Sequence, residues 1–199
     1  MISMLAQRRE GSVEPKYQAL RIGLFDDSRV AMMLQKSLLK EVFGDTTKIC
    51  LTAHGKTVRL WILKRLIDVL IMDVVQMGNE YPLDVIKKAY YAYCQKYGTD
   101  EGFPKLIFNS SSPQWVVEDV IRNKYQFLEH IGWRFIQKPA KRSDLFSCIL
   151  DLIGNPELFF KSNEQVNIMQ NLARAIESDN LGSSLLDGLR LAVKNVFAG

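Results

Sequence analysis

The sequence predicts an α/β fold built on a parallel sheet with helices on both faces, and three observations carry that expectation. Five short apolar runs recur along the chain: Ile22–Phe25, Ile49–Leu51, Val69–Met72, Leu106–Phe108 and Phe135–Ile136. Each is followed by polar or turn-forming residues, and segments with the 3.6-residue period of a helix separate them. The runs are continuous rather than alternating, as strands covered on both faces should be.

The elements follow in order. Residues 1–19 are polar and aperiodic, with Gly11 and Pro15 as breakers, and read as a flexible lead-in. Residues 20–154 carry the strand–helix alternation, with helical stripes at Val30/Leu34/Leu38, Val58/Trp61/Ile62, Ile86/Ala89/Tyr93 and Val116/Val120/Tyr125/Leu128. A fifth stripe, Leu145/Ile149/Leu152, stops at Gly154, a residue suited to ending a helix. Residues 155–199 then predict a C-terminal helical hairpin. Ser162 and Gln165 have capping-box spacing, with Val166, Met169, Ala173 and Ile176 on one face; Leu185, Leu189, Ala192 and Val196 form the second helix after a break at Gly182. So small a hairpin has too little apolar surface to fold alone. It is expected to dock on its own domain, pair with a second copy, bind a partner, or link to an output domain beyond Gly199.

The 199 residues, 47% hydrophobic and 24% charged, suit one domain with an appendage. No apolar run approaches the roughly 18 residues that span a bilayer, and the N-terminal residues lack a signal-peptide pattern, so no membrane partner and a cytoplasmic location are expected. Cys50, Cys94 and Cys148, odd in number and set in apolar patterns, read as reduced core thiols. His54 and His130 are too isolated to suggest a His/Cys metal site. The net charge of +4 does not come from the tail. Residues 155–199 hold Lys161, Arg174, Arg190 and Lys194 against Glu157, Glu164, Glu177, Asp179 and Asp187, which argues against a DNA-binding tail.

In parallel α/β sheets, function gathers beyond the carboxyl ends of the strands. The residues there are Asp26 and Asp27, Thr52 and His54, Asp73, the run Asn109-Ser110-Ser111, and Lys138 with Pro139. Two adjacent carboxylates are tolerable if a divalent cation sits among them. Magnesium takes hard oxygen ligands; Asp27 and Asp73, Asp26 through water, and a backbone carbonyl after Asp73 would supply them. A carboxylate can also attack a phosphoryl group and form an aspartyl phosphate, with Lys138 holding a phosphoryl oxygen as a point charge.

The stretches "LRIGLFDDSRVAMMLQKSLL", "DVLIMDVV", "PKLIFNSSS" and "WRFIQKPAKRSDL" resemble, in order, the four signature regions of the response regulator receiver domain of two-component signalling. The resemblance spans residues 20 to 153. It implies a flavodoxin-like five-stranded sheet in the order 2-1-3-4-5, Asp73 as phosphoacceptor, and Asp26 and Asp27 as the acidic pair for Mg2+. Asp27 is then the direct ligand beside the Val75 carbonyl, and Lys138–Pro139 carries a cis bond. The hydroxyl residue closing the fourth strand falls at Asn109 by counting from Pro104, or at Ser110 if the strand runs one residue further; Ser110 is the reading adopted. Phe135, three residues before the lysine, takes the place of the aromatic switch. The implied partners are a sensor histidine kinase or phosphotransfer protein as donor. Output would be a downstream protein, or self-association through the last strands and helices and the C-terminal hairpin. Such a domain is a phosphoacceptor and not an enzyme. Met77 departs from the proline expected after the acceptor, and the third helix looks longer than usual.

Competing readings are plainer. Asp27 or Ser28 alone would serve as a helix N-cap, Ser110–Ser112 would cap the fourth helix, and Tyr90, Tyr91, Tyr93 and Tyr97 would cover the sheet with polar tips in water. A degenerate receiver acting as a constitutive scaffold is the main alternative. A haloacid-dehalogenase-type phosphatase would need an acid two residues after its nucleophile, where this chain has Ser28 or Arg29. Two carboxylates after the first strand would repel the phosphate of a flavodoxin's flavin.

Overall fold

The third apolar run forms the middle of the sheet, and every residue of it is buried. The computed structural model describes residues 19–44, 47–75, 81–154 and, beyond these, 167, 168, 170, 171 and 174. Its strands are β1 (Arg21–Phe25), β2 (Lys48–Thr52), β3 (Val69–Met72), β4 (Lys105–Ser110) and β5 (Trp133–Gln137). All pair in parallel, in the order β2-β1-β3-β4-β5, as expected. The helices are α1 (Arg29–Phe43), α2 (Gly55–Leu63), α3 (Pro82–Tyr97), α4 (Gln114–Lys124) and α5 (Arg142–Ile153), with a short 3-10 turn, Gln126–His130, before β5.

Side chains of a strand alternate between faces, and here the alternation separates two cores. Phe25, Leu70, Met72, Leu106 and Phe108 pack with α2, α3 and α4 through Val58, Ile62, Leu83, Ile86, Ala89, Val117 and Ile121. Ile22, Leu24, Val69, Ile71, Ile107 and Ile136 pack with α1 and α5 through Met32, Leu39, Val42, Phe43, Leu145, Phe146 and Ile149. The register aligns Phe25 with Met72, Met72 with Phe108, and Phe108 with Phe135. One aromatic and thioether row thus crosses four strands, and the residues that follow it share the next level.

Two helices turn a different face inward from the one their period predicts. In α1, Val30 is 80% and Leu34 59% exposed, while Met32, Gln35, Leu39, Val42 and Phe43 are buried. The helix is apolar on two sides, so its period has two solutions; the chosen one stacks Phe43 on Phe146 of α5 with ring centroids 5.0 Å apart. In α4 the buried residues are Val117 and Ile121. The helix stops at Lys124, leaving Tyr125 as its cap and Leu128 in the 3-10 turn, both buried.

Two side-chain expectations also change. Cys50 is exposed because β2 is an edge strand; Cys94 and Cys148 are partly buried, and all three are free. Burial pushes the Cys148 thiol up to about 11. The tyrosine tips do not all face water: the fully buried Tyr93 donates its hydroxyl to the Glu101 carbonyl at 2.8 Å, and Tyr97 donates to the Leu63 carbonyl at 2.8 Å. Gly102, at φ +80°, permits the first contact, since a Cβ there would lie 3.1 Å from the Tyr93 hydroxyl.

The apolar stripes predicted for the C-terminal hairpin, Val166/Met169/Ala173/Ile176 and Leu185/Leu189/Ala192/Val196, lie outside the described residues. Within them, Ile168 is buried in the α1/α5 core, and Asn171 Nδ2 donates to the Glu41 and Val42 carbonyls at 3.4 and 3.5 Å. Among the described residues no helix is long and apolar enough to cross a membrane.

Gly23 on β1 sits under close neighbours from β3, from Ile67 ahead of that strand, and from α2. A Cβ there would meet Leu70, Ile67 and Trp61 at 3.2–3.3 Å. Gly23→Val is therefore expected to cost about 1–3 kcal/mol by overpacking, read as a lower urea midpoint with an unchanged slope.

Candidate functional site

Beyond the row Phe25–Met72–Phe108 the chain turns polar. Asp73 still donates its backbone N–H to the Phe25 carbonyl at 3.0 Å, and Asp26 donates to the Thr52 carbonyl at 3.3 Å, so both remain on the sheet lattice. Each carboxylate folds back on its own loop. Asp26 Oδ1 accepts from the Ser28 N–H at 2.8 Å, and Asp73 Oδ1 from the Val75 N–H at 3.0 Å, the local turn that aspartate favours. Ser28 caps α1, its hydroxyl accepting from the Ala31 N–H at 3.2 Å. The capping role predicted for Asp27 or Ser28 is therefore met by Ser28, and both carboxylate Oδ2 atoms are left for another partner.

That partner is Lys138. Its backbone N–H donates to the Ser110 carbonyl at 2.8 Å, which extends the β4–β5 ladder by one residue. Its Nζ donates to Asp26 Oδ2 at 2.9 Å and to Asp73 Oδ2 at 2.7 Å. The peptide to Pro139 is cis. Asp26 and Asp73 are only 3% and 8% exposed, and two carboxylates this far from water are costly unless a cation joins them. Burial alone would lower the Lys138 ammonium, but hydrogen bonds to Asp73 and Asp26 and their charges outweigh it and raise it above the ordinary lysine value.

Lys138 bridges Asp26 and Asp73, and Asp27, the next residue after Asp26, is exposed. Asp26, Asp73 and Lys138 sum to one net negative charge, with Asp27 adding a second nearby.

Strand alternation sorts the remaining candidates by face. Ile107 and Ile136 belong to the α1/α5 core, so Asn109, two residues after Ile107 and paired with Ile136, stands on that side at the level of Asp73. Ser110, the last residue of β4, falls on the opposite face with Phe108 and the partly buried Phe135. Both positions are inaccessible, Asn109 at 1% and Ser110 at 0% exposed. The Ser110 hydroxyl accepts from the Ser112 N–H at 3.2 Å, while among the described residues Asn109 Oδ1 has no hydrogen-bond partner. Pro113, not a serine, occupies the N-cap of α4. His54 is exposed at the N-cap of α2, and its N–H donates to the Thr52 hydroxyl at 3.1 Å. Sequence reasoning treated Asn109 only as a rival to Ser110; the signal separating them is the period-2 alternation counted from Ile107.

The donor set suits a small hard cation. Two carboxylate oxygens already converge within 3 Å of one positive nitrogen, and Asp27 and the backbone of the exposed Val75 flank them. Among the described residues no group of three His, Cys, Asp or Glu side chains is arranged to hold a metal. Magnesium needs none, since one or two carboxylates, a carbonyl and waters suffice.

No family model and no curated protein matches the chain. Solved structures do. The Vibrio cholerae chemotaxis protein CheY4 matches at 13% identity and TM-score 0.53, over 68% of this chain and 99% of that one. The signal receiver domain of a modulated diguanylate cyclase from Desulfovibrio desulfuricans G20 matches at 14% and 0.52, over 71% and 98%. That of an HD domain-containing protein from Pseudomonas fluorescens Pf-5 matches at 13% and 0.51, over 69% and 96%. The chain has the receiver-domain fold, and whole receivers are covered by about two thirds of it.

Replacing Lys138 by Met leaves two buried carboxylates facing each other without a cation. The expected loss is about 2–4 kcal/mol, below the figure for a fully buried pair because the ammonium keeps some water. Because the folded-state value of Lys138 is raised, its contribution is complete below the ordinary lysine value and disappears as pH rises through the folded one. Denaturation midpoints of wild type and Lys138→Met should differ by a constant amount from neutrality to about pH 9 and draw together above about pH 10.5.

Proposed function

We propose that this protein is a response regulator receiver that accepts a phosphoryl group on Asp73 with Mg2+ and thereby switches a protein-interaction surface. The observation that carries the reading is the pair of buried carboxylates on adjacent strands sharing one lysine at the carboxyl end of the sheet. That arrangement puts a nucleophile, an acid for metal binding and a cation within one hydrogen-bonded unit. The receiver folds it resembles support the same assignment.

Asp73 is the acceptor on this account. Its carboxylate emerges from the central strand, with Oδ1 held by the Val75 N–H and Oδ2 by Lys138, so the attacking group is oriented before a donor arrives. Asp26, Asp27, Asp73 and the Val75 carbonyl would hold Mg2+, which would offset the negative excess that otherwise repels an incoming phosphoryl group. Lys138 then neutralises a phosphoryl oxygen. Ser110 and Phe135 stand together on the other face of the sheet, where a shift of the end of β4 on phosphorylation would be felt by the hydroxyl and the ring. The surface formed by α4, β5, α5 and the C-terminal residues would carry the change to a partner, a local charge event biasing two states. The donor would be a sensor histidine kinase or phosphotransfer protein.

A second reading is supported by the same triad. Lys138 already satisfies both carboxylates without a metal, which is what a pseudo-receiver that binds its partner constitutively would retain.

Incubation with acetyl phosphate and Mg2+, followed by intact-mass measurement, separates the two. A single phosphoryl adduct on wild type, absent from Asp73→Asn and from metal-free samples, is expected. No adduct under any condition would leave the scaffold reading.

A further inference from the structure

Helix α1 carries more apolar surface than the core uses. Its buried side is Met32, Gln35, Leu39, Val42 and Phe43. On the other side Val30, Met33 and Leu34 are 80%, 51% and 59% exposed. They are spaced i, i+3 and i+4, so they adjoin and form one ridge. Leu38, one turn on and partly buried, joins that ridge to the α1/α5 core. Other large apolar side chains exposed among the described residues, such as Leu60, Tyr91 and Trp115, stand singly on their helices. Scattered apolar residues are ordinary on a protein surface, whereas a contiguous patch marks a contact.

The chain itself returns to this helix. Beyond α5, Ile168 is buried in the α1/α5 core, and Asn171 Nδ2 donates to the Glu41 and Val42 carbonyls at 3.4 and 3.5 Å. Those are carbonyls that the last turn of a helix leaves without a helical donor. Arg174 lines a cleft with Val42, Phe43 and Gly44. Val30, Leu34 and Glu41 follow one helical stripe, so the returning chain meets α1 where the ridge runs out.

The sequence after Arg174 suits what lies next to it. Leu185, Leu189, Ala192 and Val196 recur at helical spacing, and residues 175–187 hold Glu177, Asp179 and Asp187 without a basic side chain. On α1, Arg29, Lys36 and Lys40 flank the ridge. Ten residues separate Arg174 from Leu185, a flexible reach of about 17 Å. The helix from Gly44 back to Leu34 is about 15 Å long, so the tether spans it. A segment held so near is presented at an effective concentration on the order of millimolar, well above that of a second copy in dilute solution.

We infer that the apolar stripe Leu185/Leu189/Ala192/Val196 of this same chain covers the Val30/Met33/Leu34 ridge, running back along α1 from its C-terminal end towards Ser28. This goes beyond the phosphoacceptor reading and does not depend on it. It places the C-terminal segment on the helix that begins at the site, since α1 is capped by Ser28 and the Ser28 N–H is held by Asp26.

Two experiments on the full chain decide. In the first, Leu34→Cys is combined with Leu189→Cys, Cys50→Ser removes the exposed native thiol, and dilute protein is oxidised. A disulfide between positions 34 and 189 of one chain should form at least about tenfold faster than one between 60 and 189 in Leu60→Cys/Leu189→Cys, because α2 packs on the opposite face of the sheet from α1. Equal rates overturn the inference. So does a 34–189 disulfide found only between chains, which would make the occupant a second copy. The second experiment keeps the ridge intact and records the Met33 methyl signal, assigned with Met33→Leu, against a soluble nitroxide. The nitroxide should broaden it several-fold less in wild type than in Leu189→Asp, at every protein concentration. Equal broadening overturns the inference, and protection that fades on dilution overturns it in favour of self-association.

Discussion

The Lys138 ammonium between Asp26 and Asp73 is the contact on which the upper end of this molecule depends. Two carboxylates stand on neighbouring strands at the edge of an apolar core, almost wholly removed from water. Like charges there would force the strand ends apart or one group to take up a proton. One lysine from a third strand holds both. The requirement reaches down the sheet, because β1, β3, β4 and β5 must keep a common register for that side chain to arrive. A slip of one residue on any of them would send its polar residue to the other face.

The same alternation divides the labour at the strand ends. Asn109 falls on the α1/α5 side, level with Asp73, while Ser110, Phe108 and Phe135 belong to the side packed by α2, α3 and α4. Asn109 and Ser110 are adjacent in sequence and opposite in direction.

How much of this could be read from the sequence differs by element. All five strands were legible as short apolar runs, and the continuous run Val69–Met72, buried on both faces, is the plainest case. The existence of α1 and α4 was legible too, but their inward faces were not. α1 has Val30 and Leu34 on one side and Met32, Leu39 and Phe43 on the other, so only packing against Phe146 chooses between them. Cys50 misled for a related reason, since an edge strand has the composition of a central one. At the site, the strand-end rule found Asp26, Asp73 and Lys138 individually, and the receiver resemblance grouped them. That one lysine would bridge both carboxylates follows from side-chain directions that no spacing contains. Asn109 and Ser110 were left as rivals, although the period-2 alternation counted from the apolar Ile107 puts them on opposite faces.

The central claim is that this bridged pair is a switch for phosphoryl and metal ligands. It is tested most directly by amide NMR spectra of the full chain, recorded with Mg2+ and then with Mg2+ and beryllofluoride, a mimic of the acyl phosphate. The account predicts that Mg2+ shifts the signals around Asp26–Ser28 and Asp73–Val75. Beryllofluoride should then extend the shifts to Asn109, Ser110, Phe135 and Lys138, in wild type and not in Asp73→Asn. Spectra that neither addition alters would contradict it and leave the triad as a purely structural ion pair.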